Sequence, residues 1–316
     1  MKIIFTSIGR RVELVQAFKR AARDLKTDLT IYGVDATTTA PALFFCDKAI
    51  QVCKIKDADY IPSLIKICQE EKIDALIPTI DTDLLILAQH KKDFESINTK
   101  VIISGENSIK ICRDKRMTAG FFESIGLLSP FHVDDYTKYS AGFPAFIKPK
   151  DGSSSINAYK VNNAEELKTY AKKVPDYIVE PFIEGTEYTV DVFCDLKGNP
   201  VYITPRIRLA VRSGEVLKTK ISQDKQIIDE TKKIIKEFKP CGAITIQLIR
   251  QNETGKDYFI EINPRFGGGA PLSMKAGADS SIALLKLLDG NRVPYQDTAA
   301  EDGAVYSRFD QSVRVE

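Results

Sequence analysis

The sequence predicts an alternating α/β domain followed by an α+β region that is built around an antiparallel sheet. Two patterns lead to this prediction. Short strands and amphipathic helices alternate over the first hundred residues, whereas longer strands with a period of two dominate from Ile178 onward. A chain of 316 residues is long enough for two or three compact domains.

The first region reads as a Rossmann-like domain over residues 1–105. Apolar residues recur at helical spacing after Arg11, and each apolar run between helices is short enough for one buried strand. Strands that alternate with helices in this way form mostly parallel sheets. The predicted strands are 2–5, 29–34, 75–77 and 101–103, and the predicted helices are 11–22, 61–70 and 84–90.

The turn after the first strand argues against a dinucleotide cofactor. It contains a single glycine, Gly9, whereas a dinucleotide fingerprint needs several glycines so that the backbone approaches a pyrophosphate. Asp35 ends the second strand, where a ribose-binding acid is expected, but one acid is weak support for NAD(P). Arg10 and Arg11 lie in the same turn, and they either meet an anionic substrate or begin a solvated helix.

The pattern changes at residue 106. A helix is predicted over 108–125 because Gly126 and Pro130 follow it as stop signals. We expect a small subdomain over 106–183, which includes this helix, and a larger one over 184–316, which ends in a strand. The predicted strands are 145–150, 188–194, 201–209, 243–249, 258–262 and 306–315, with a helix at 281–288.

Composition excludes several classes of protein. Lys and Arg number 45 against 43 Asp and Glu, so bulk charge gives no reason to expect nucleic acid or membrane as a partner. The apolar runs are too short to span a bilayer. Six scattered cysteines without a CxxC pair, and only two histidines, disfavour a zinc site and indicate reduced thiols in the cytoplasm.

Oxygen-bearing side chains gather on one predicted hairpin. Glu261 and Asn263 share a strand face, and a turn across 251–256 brings Gln247 of the preceding strand beside them. One carboxylate flanked by two amides suits Mg²⁺ that is shared with a polyphosphate. Taken alone, such a patch is more often the solvated surface of a sheet than a metal site.

Two lysines and an acidic segment add to this patch. Lys148 lies on a strand that runs into a glycine- and serine-rich loop, which suits phosphate oxygens, although the order of residues does not match a Walker A sequence. Lys115 lies in the predicted helix 108–125. The segment 178–187 is an apolar strand that ends in an acid-bearing turn, as expected beside an adenine and a ribose.

In this order the residues resemble the ATP-grasp superfamily, and the pattern is most similar to a short, single-module relative of the carbamoyl-phosphate synthase large subunit. The resemblance covers essentially the whole chain, because a Rossmann-like pre-domain precedes the ATP-grasp module in that family. It implies a two-subdomain ATP-grasp fold, with residues 106–183 as the lid, and the cofactors ATP and Mg²⁺ or Mn²⁺.

The resemblance also implies roles for individual residues. Lys115 and Lys148 would hold phosphates under a flap, and Glu187 would bind the ribose. The flap residues are Gly152, Ser153, Ser154 and Ser155, and the adenine contacts are Glu180, Pro181, Phe182 and Ile183. Gln247, Glu261 and Asn263 would bind two metal ions. Arg265 would stabilise the transferring phosphoryl group, so that Glu261, Asn263 and Arg265 are the catalytic residues.

The acceptor side is less specific. Arg206 and Arg208 share a strand face and Arg212 follows, so the three arginines either bind a substrate carboxylate or line a solvated edge strand. The glycines after Arg265 permit positive φ and close backbone approach, and they either shape the acceptor pocket or form a flexible turn. They are Gly267, Gly268 and Gly269.

The resemblance implies an ADP-forming ligase that joins a small carboxylate to an amine or amino acid through an acyl phosphate. The chain has one module and no recognisable glutaminase, which argues against complete carbamoyl-phosphate synthesis. Two alternatives remain: a partial activity of that kind that needs a partner chain, and a nucleotide-binding regulatory subunit without turnover. A homodimer is expected from the frequency of dimers among soluble proteins.

Overall fold

The computed structural model describes residues 1–152 and 156–315. It contains one parallel sheet and two antiparallel sheets, which confirms the predicted combination of α/β and α+β architecture. All six cysteines lie in the described part and are free thiols. Among the described residues, every helix is too short or too polar to cross a lipid bilayer.

The N-terminal region is a five-stranded parallel sheet in the order β3-β2-β1-β4-β5. The strands are β1 Lys2–Thr6, β2 Thr30–Asp35, β3 Lys48–Gln51, β4 Ala75–Pro78 and β5 Lys100–Val101. The helices are α1 Val12–Leu25, α2 Tyr60–Glu71, α3 Leu84–Gln89 and α4 Lys91–Ser96. The sequence analysis did not predict β3 or α4. Chain order reverses between β1 and β4, and ligands of open α/β sheets bind at the carboxyl ends of the strands beside such a point.

The predicted single helix over 108–125 is wrong. Two helices, α5 Glu106–Arg113 and α6 Lys115–Ser124, are separated by Asp114 in an extended conformation (φ −120°, ψ 117°). The Asp114 carboxylate accepts a hydrogen bond from the backbone N–H of Arg116 and so caps α6. Lys115 is therefore the first residue of a helix rather than an interior one.

The second sheet is small. Its strands β6 Ala145–Pro149, β7 Tyr159–Val161 and β8 Tyr177–Pro181 pair antiparallel in the order β7-β6-β8, and helix α7 Ala164–Ala171 packs against β6 and β7. We call this sheet with its helix the lid. It has a separate core whose fully buried members are Ala145, Ile147, Val161, Leu167 and Val179.

The third sheet has six strands in the order β13-β12-β9-β10-β11-β14. They are β9 Gly185–Cys194, β10 Pro200–Arg212, β11 Glu215–Ile221, β12 Gly242–Gln251, β13 Asp257–Asn263 and β14 Val305–Ser307. The helices are α8 Lys225–Phe238, α9 Ala270–Lys275 and α10 Ser280–Leu288. A strand over 306–315 was predicted, but only Val305–Ser307 pairs with β11, and residues 308–315 form no regular structure.

One hydrophobic core joins the parallel sheet to the six-stranded sheet. Phe5 and Phe18 of the N-terminal region pack edge to face at 5.2 Å between ring centroids, and Phe18 meets Phe266 in the same manner at 6.0 Å. Phe266 in turn stacks on Phe193 of β9 at 6.4 Å. Helix α1 also packs against α9 and α10. The two sheets therefore share one packed interior, which we call the shared core.

Candidate active site

The predicted hairpin between β12 and β13 is present. Gln247 lies directly opposite Glu261, and Thr245 lies opposite Asn263. The Asn263 amide donates a hydrogen bond of 2.9 Å to the Glu261 carboxylate. Within residues 1–152 and 156–315, no group of three or more His, Cys, Asp or Glu side chains is arranged to hold a metal ion. One carboxylate with two amides therefore fits Mg²⁺ only if phosphates and water complete its coordination.

Arg265 connects this hairpin to the N-terminal region. Its Nη2 donates to Asn263 Oδ1 at 3.3 Å and forms an ion pair with Asp81, which follows strand β4. The hydroxyl of Thr245 donates to the carbonyl of Arg265 at 3.3 Å. The sequence analysis missed Asp81, although a polar residue just after a buried strand of a parallel sheet is a typical site residue.

The two predicted phosphate-binding lysines already have partners in the structure. Lys148 of β6 forms an ion pair of 2.7 Å with Glu180 of β8, and the two side chains are only 8% and 9% exposed. The Lys115 ammonium donates to the carbonyl of Gly152 at 3.0 Å. Burial lowers the pKa of Lys115, and the nearby Glu261 carboxylate opposes that shift.

Two clefts adjoin Lys148. One, of about 140 Å³, is lined by Lys115, Lys148, Arg208, Gln247 and Glu261. The other, of about 310 Å³, lies between the lid and the six-stranded sheet. Its lining contains every residue that was expected around adenine and ribose, Glu180, Pro181, Phe182, Ile183 and Glu187, together with the aliphatic side chains of Ile249 and Ile260.

The glycine- and serine-rich loop after β6, residues 151–155, is described only in part. Gly152 lines the smaller cleft and adopts φ +100°, which glycine tolerates far better than other residues. Ser153, Ser154 and Ser155, which were expected in the flap, lie outside the described residues. Lys160, which the sequence analysis missed, places its ammonium 4.0 Å from the centre of the Phe182 ring.

The structure does not bring the three arginines of β10 together at one acceptor site. Arg206 is 1% exposed and its guanidinium donates to Asp191 at 2.7 Å, while Ser273 donates to the same carboxylate oxygen. Arg208 forms an ion pair of 3.1 Å with Glu187 and lines the 140 Å³ cleft. The Arg212 side chain is 59% exposed and pairs with Asp310. A shared strand face therefore did not mean a shared environment.

Gly267, Gly268 and Gly269 form the turn after Arg265, which we call the glycine turn. These glycines allow neighbouring side chains to approach the backbone closely, and they do not adopt positive φ. Gly267, Gly268 and Gly269 are absent from the described residues with positive φ, so that part of the expectation is wrong. A Cβ atom at Gly267 would lie 2.7 Å from Thr245 Oγ1, and one at Gly269 would lie 2.5 Å from Arg206 Nη2. At Gly268 it would lie 3.0 Å from Nη1 of Arg11. Each glycine leaves room for a different side chain.

A larger cleft, of about 430 Å³, opens between this turn and the carboxyl ends of β1 and β4. Ser7, Gly9, Arg10 and Arg11 line it from the turn after β1, and Asp81 and Thr82 line it from the turn after β4. Arg265, Gly267 and Gly268 close the side that faces the hairpin. The remaining charged lining residues are Glu13, Glu215 and Arg308, and Glu215 pairs with Arg308 at 3.0 Å.

A buried carboxylate supports the floor of this cleft. Asp83 accepts hydrogen bonds from the hydroxyls of Thr6 (2.9 Å), Ser7 (3.0 Å) and Tyr60 (3.2 Å) through one oxygen. Its other oxygen is buried without a partner among the described residues. Burial raises the pKa of Asp83 to about 6, against the three hydrogen bonds, which lower it.

Comparison with known proteins agrees with both halves of the chain. Residues 3–102 match the PylC-like N-terminal domain, and residues 173–311 match the ATP-grasp family described as belonging to the biosynthetic pathway with the Ter operon. Over 256 residues the chain is 25% identical to D-alanine–D-alanine ligase B of Clostridium perfringens, with 71% of this chain and 84% of that ligase covered.

Two further proteins extend the comparison. A carbamoyl-phosphate synthase of Methanobrevibacter smithii is 23% identical over 244 residues, which cover 71% of this chain and 66% of the synthase. The biotin carboxylase of Campylobacter jejuni, solved with an ATP analogue, has a TM-score of 0.76 and 18% identity, and it covers 95% of this chain and 73% of its own. At that identity the likeness concerns the fold. The chain thus combines a PylC-like N-terminal domain with an ATP-grasp domain.

Proposed function

We propose that this protein is an ATP-dependent, ADP-forming ligase that joins a small carboxylate to an amine or amino acid through an acyl phosphate. The observation that supports this most directly is the position of Arg265. Its guanidinium contacts Asn263 of the hairpin and also lines the 430 Å³ cleft of the N-terminal region. We call the clefts at Lys115 and Lys148 the nucleotide side and the 430 Å³ cleft the acceptor side. A phosphoryl group that passes Arg265 moves from the nucleotide side to the acceptor side.

The nucleotide side matches the parts of ATP. The 310 Å³ cleft would take the adenine against Phe182, Ile249 and Ile260, with Glu187 at the ribose. The phosphates would lie in the 140 Å³ cleft, where Lys115, Lys148 and Arg208 supply positive charge. Gln247, Glu261 and Asn263 would hold Mg²⁺, which neutralises phosphate charge when it is bound.

The reaction that we propose has two steps. An oxygen of the acceptor carboxylate attacks the γ-phosphorus, the bond from that phosphorus to the β-γ bridging oxygen breaks, and ADP leaves. The amine nitrogen then attacks the carbonyl carbon of the acyl phosphate, loses a proton to solvent and expels inorganic phosphate. The protein itself forms no covalent bond. Arg265 offsets the negative charge of the transferring phosphoryl group and keeps it in line.

A nucleotide-binding regulatory subunit is the alternative that these residues disfavour. Binding of nucleotide alone needs no arginine between the metal-binding hairpin and a second cleft, yet Arg265 is held there by Asn263 and Asp81. The relative from Clostridium perfringens is a ligase by name and acts on D-alanine. That name supports an acid and an amine as the substrates of this chain.

The test is a screen for ADP release with Mg-ATP and pairs of carboxylates and amines. We expect at least one pair to give turnover that depends on both partners. Glu261→Gln should abolish ADP formation while nucleotide binding, measured by calorimetry, remains detectable. Glu253→Gln, in the exposed turn of the same hairpin, is the matched control and should retain full activity. Unchanged turnover of Glu261→Gln, or nucleotide binding without turnover for every pair, would overturn the proposal.

A further inference from the structure

Arg11 differs from the other inward-facing arginines of the 430 Å³ cleft. Arg265 is paired with Asp81 and Arg308 with Glu215, whereas no carboxylate of residues 1–152 and 156–315 lies within 4.0 Å of the Arg11 guanidinium. Its one hydrogen bond in the structure goes from Nη2 to the carbonyl oxygen of Thr79, at 3.2 Å. Most of the donors of this guanidinium are therefore available to a bound molecule.

The charge of Arg11 is not balanced by its surroundings. Burial, and after it the neighbouring Arg265 guanidinium, lower the pKa of Arg11 to about 10, although Glu215 and Asp81 act in the opposite direction. The first turn of α1 begins at the same place and directs the positive end of its helix dipole toward the cleft. Both effects favour an anion next to Arg11.

The acids of the cleft are already engaged. Glu13 pairs with Lys275, Glu215 with Arg308 and Asp81 with Arg265. A ligand therefore finds an unpaired guanidinium here but no unpaired carboxylate. This distribution of charge selects an anion over a cation.

The glycine turn keeps Arg11 close to Arg265. A Cβ atom at Gly268 would approach Nη1 of Arg11 to 3.0 Å, so a side chain at this position requires the guanidinium to shift by a few tenths of an ångström. Arg265 is three residues earlier in the same segment. The space between the two arginines borders the cleft on one side and the hairpin on the other.

We infer that Arg11 recognises the acceptor acid by binding its carboxylate, and that Gly268 is the residue that allows Arg11 to do so. This inference rests on the proposed function for the identity of the anion as an acceptor. A carboxylate held by Arg11 on the Arg265 side of the cleft faces the position from which the γ-phosphate arrives. The predicted phosphate-binding lysines, Lys115 and Lys148, line the other clefts, so the two anions have separate cationic partners.

Labelling by phenylglyoxal tests the binding without any turnover. The full chain with Mg-ADP is labelled in chloride, in acetate at equal ionic strength and with the neutral acetamide, and tandem mass spectrometry separates the Arg10 and Arg11 adducts. We expect acetate to slow the labelling of Arg11 and acetamide to leave it unchanged. Arg23, exposed at the far end of α1, serves as the internal reference. Equal rates in acetate and acetamide would overturn the inference.

Kinetics then separate this inference from the proposed function. With an acid that gives ADP release, Arg11→Gln should raise the KM for that acid about 10- to 100-fold, the range of a lost hydrogen-bonded charge pair. The KM for ATP should change less than about twofold, because Arg11 lines none of the clefts at the lysines. Arg23→Gln should leave both constants unchanged.

Two glycine substitutions complete the design. Gly268→Ala should reproduce much of the Arg11→Gln effect on the acid, whereas Gly120→Ala, where a Cβ meets no atom within 4 Å, should not. An unchanged KM for the acid in Arg11→Gln overturns the inference and leaves the ligase proposal intact. Protection of Arg11 by acetate, without ADP release for any acid, supports carboxylate binding at Arg11 but removes the ligase proposal, and with it the identity of that carboxylate as an acceptor.

Discussion

The lid and the shared core hold the two substrates of the proposed reaction in different ways. The shared core runs without interruption from the parallel sheet to the six-stranded sheet, through the contacts of Phe5, Phe18, Phe266 and Phe193. Among the described residues, the lid has a separate core with five buried side chains. Arg265, which we propose contacts the phosphoryl group, is thus attached to the shared core. Some of the residues that we propose bind the nucleotide belong to the lid, which packs separately.

The charges of the two regions follow the same division. In the lid, Lys148 forms an ion pair with Glu180 on a neighbouring strand of the same sheet. Where the parallel sheet packs on the six-stranded sheet, Arg265 is paired with Asp81, which belongs to the N-terminal region. The lid therefore balances its charge locally, while Arg265, the proposed catalytic arginine, depends on the correct docking of two sheets.

The largest expected effect separates kcat from KM. Arg265→Ala should lower kcat on the order of 10³–10⁵, the range for an arginine that stabilises phosphoryl transfer, with the KM for ATP nearly unchanged. Lys148→Ala, in the lid, should instead appear mainly as a raised KM for ATP. Steady-state assays of ADP release measure both. If Arg265→Ala changed mainly the KM for ATP, the division between the two regions would be wrong.

A smaller effect concerns the independence of the lid. Ile147→Ala leaves a cavity in the lid core and should lower the free energy of local opening by about 2–5 kcal/mol. Hydrogen exchange should then accelerate in β6, β7 and β8 and stay unchanged in β1 and β9. The matched variant Ile3→Ala lies in the shared core, and it should accelerate exchange in the parallel and six-stranded sheets together. Acceleration confined to the parallel sheet would contradict a common core.

The next effect is a pH dependence that arises from Asp83 in the N-terminal region. The pKa of Asp83 is raised to about 6 from its ordinary value of 3.8, so the folded protein binds this proton more tightly than the unfolded chain. Its contribution therefore makes the protein more stable as pH falls from above 6 toward 4, by on the order of 3 kcal/mol at most. Urea unfolding across this range, compared with Asp83→Asn, measures it. If the free energy of unfolding of Asp83→Asn changed with pH in the same way as that of the parent, another group would be responsible for the effect.

The smallest expected effect is that of Asp81→Asn. The amide keeps a hydrogen bond to Arg265 but loses the charge, and such supporting contacts are typically worth about 10- to 100-fold in activity. We expect kcat to fall by that range with the KM for ATP unchanged. Asp59→Asn, an exposed acid at the start of α2, is the control and should behave as the parent. Loss of nucleotide binding in Asp81→Asn would show that Asp81 supports more than Arg265.

The hairpin of the candidate site was predictable from sequence because its residues are local in the chain. Glu261 and Asn263 lie at the end of one strand and Arg265 follows it, and the alternation of that strand with its hairpin partner placed Gln247 correctly opposite Glu261. The period of two gives such faces without knowledge of the tertiary fold. The expected residues of the 310 Å³ cleft were found for the same reason, since all five lie within 180–187.

The acceptor side was not predictable in the same way. Its charged residues Arg11, Asp81, Glu215 and Arg308 come from four distant segments, and only the docking of the parallel sheet on the six-stranded sheet brings them together. The three arginines of β10 show the converse. They are close together in sequence, but each pairs with a different acid, Asp191, Glu187 or Asp310. The break at Asp114 was likewise hidden, since its capping bond replaces the helical pattern at one residue.

The glycine turn has a consequence for anyone who wishes to re-engineer this protein toward new acids. Thr245 and Arg206 close positions 267 and 269 to side chains, and a side chain at position 268 displaces Arg11, so saturation libraries at 267 and 269 should contain few active clones. An insertion in this turn would shift the glycines away from Thr245, Arg11 and Arg206 at the same time. Variation belongs at Arg10 and Glu13, whose side chains line the cleft from the N-terminal region.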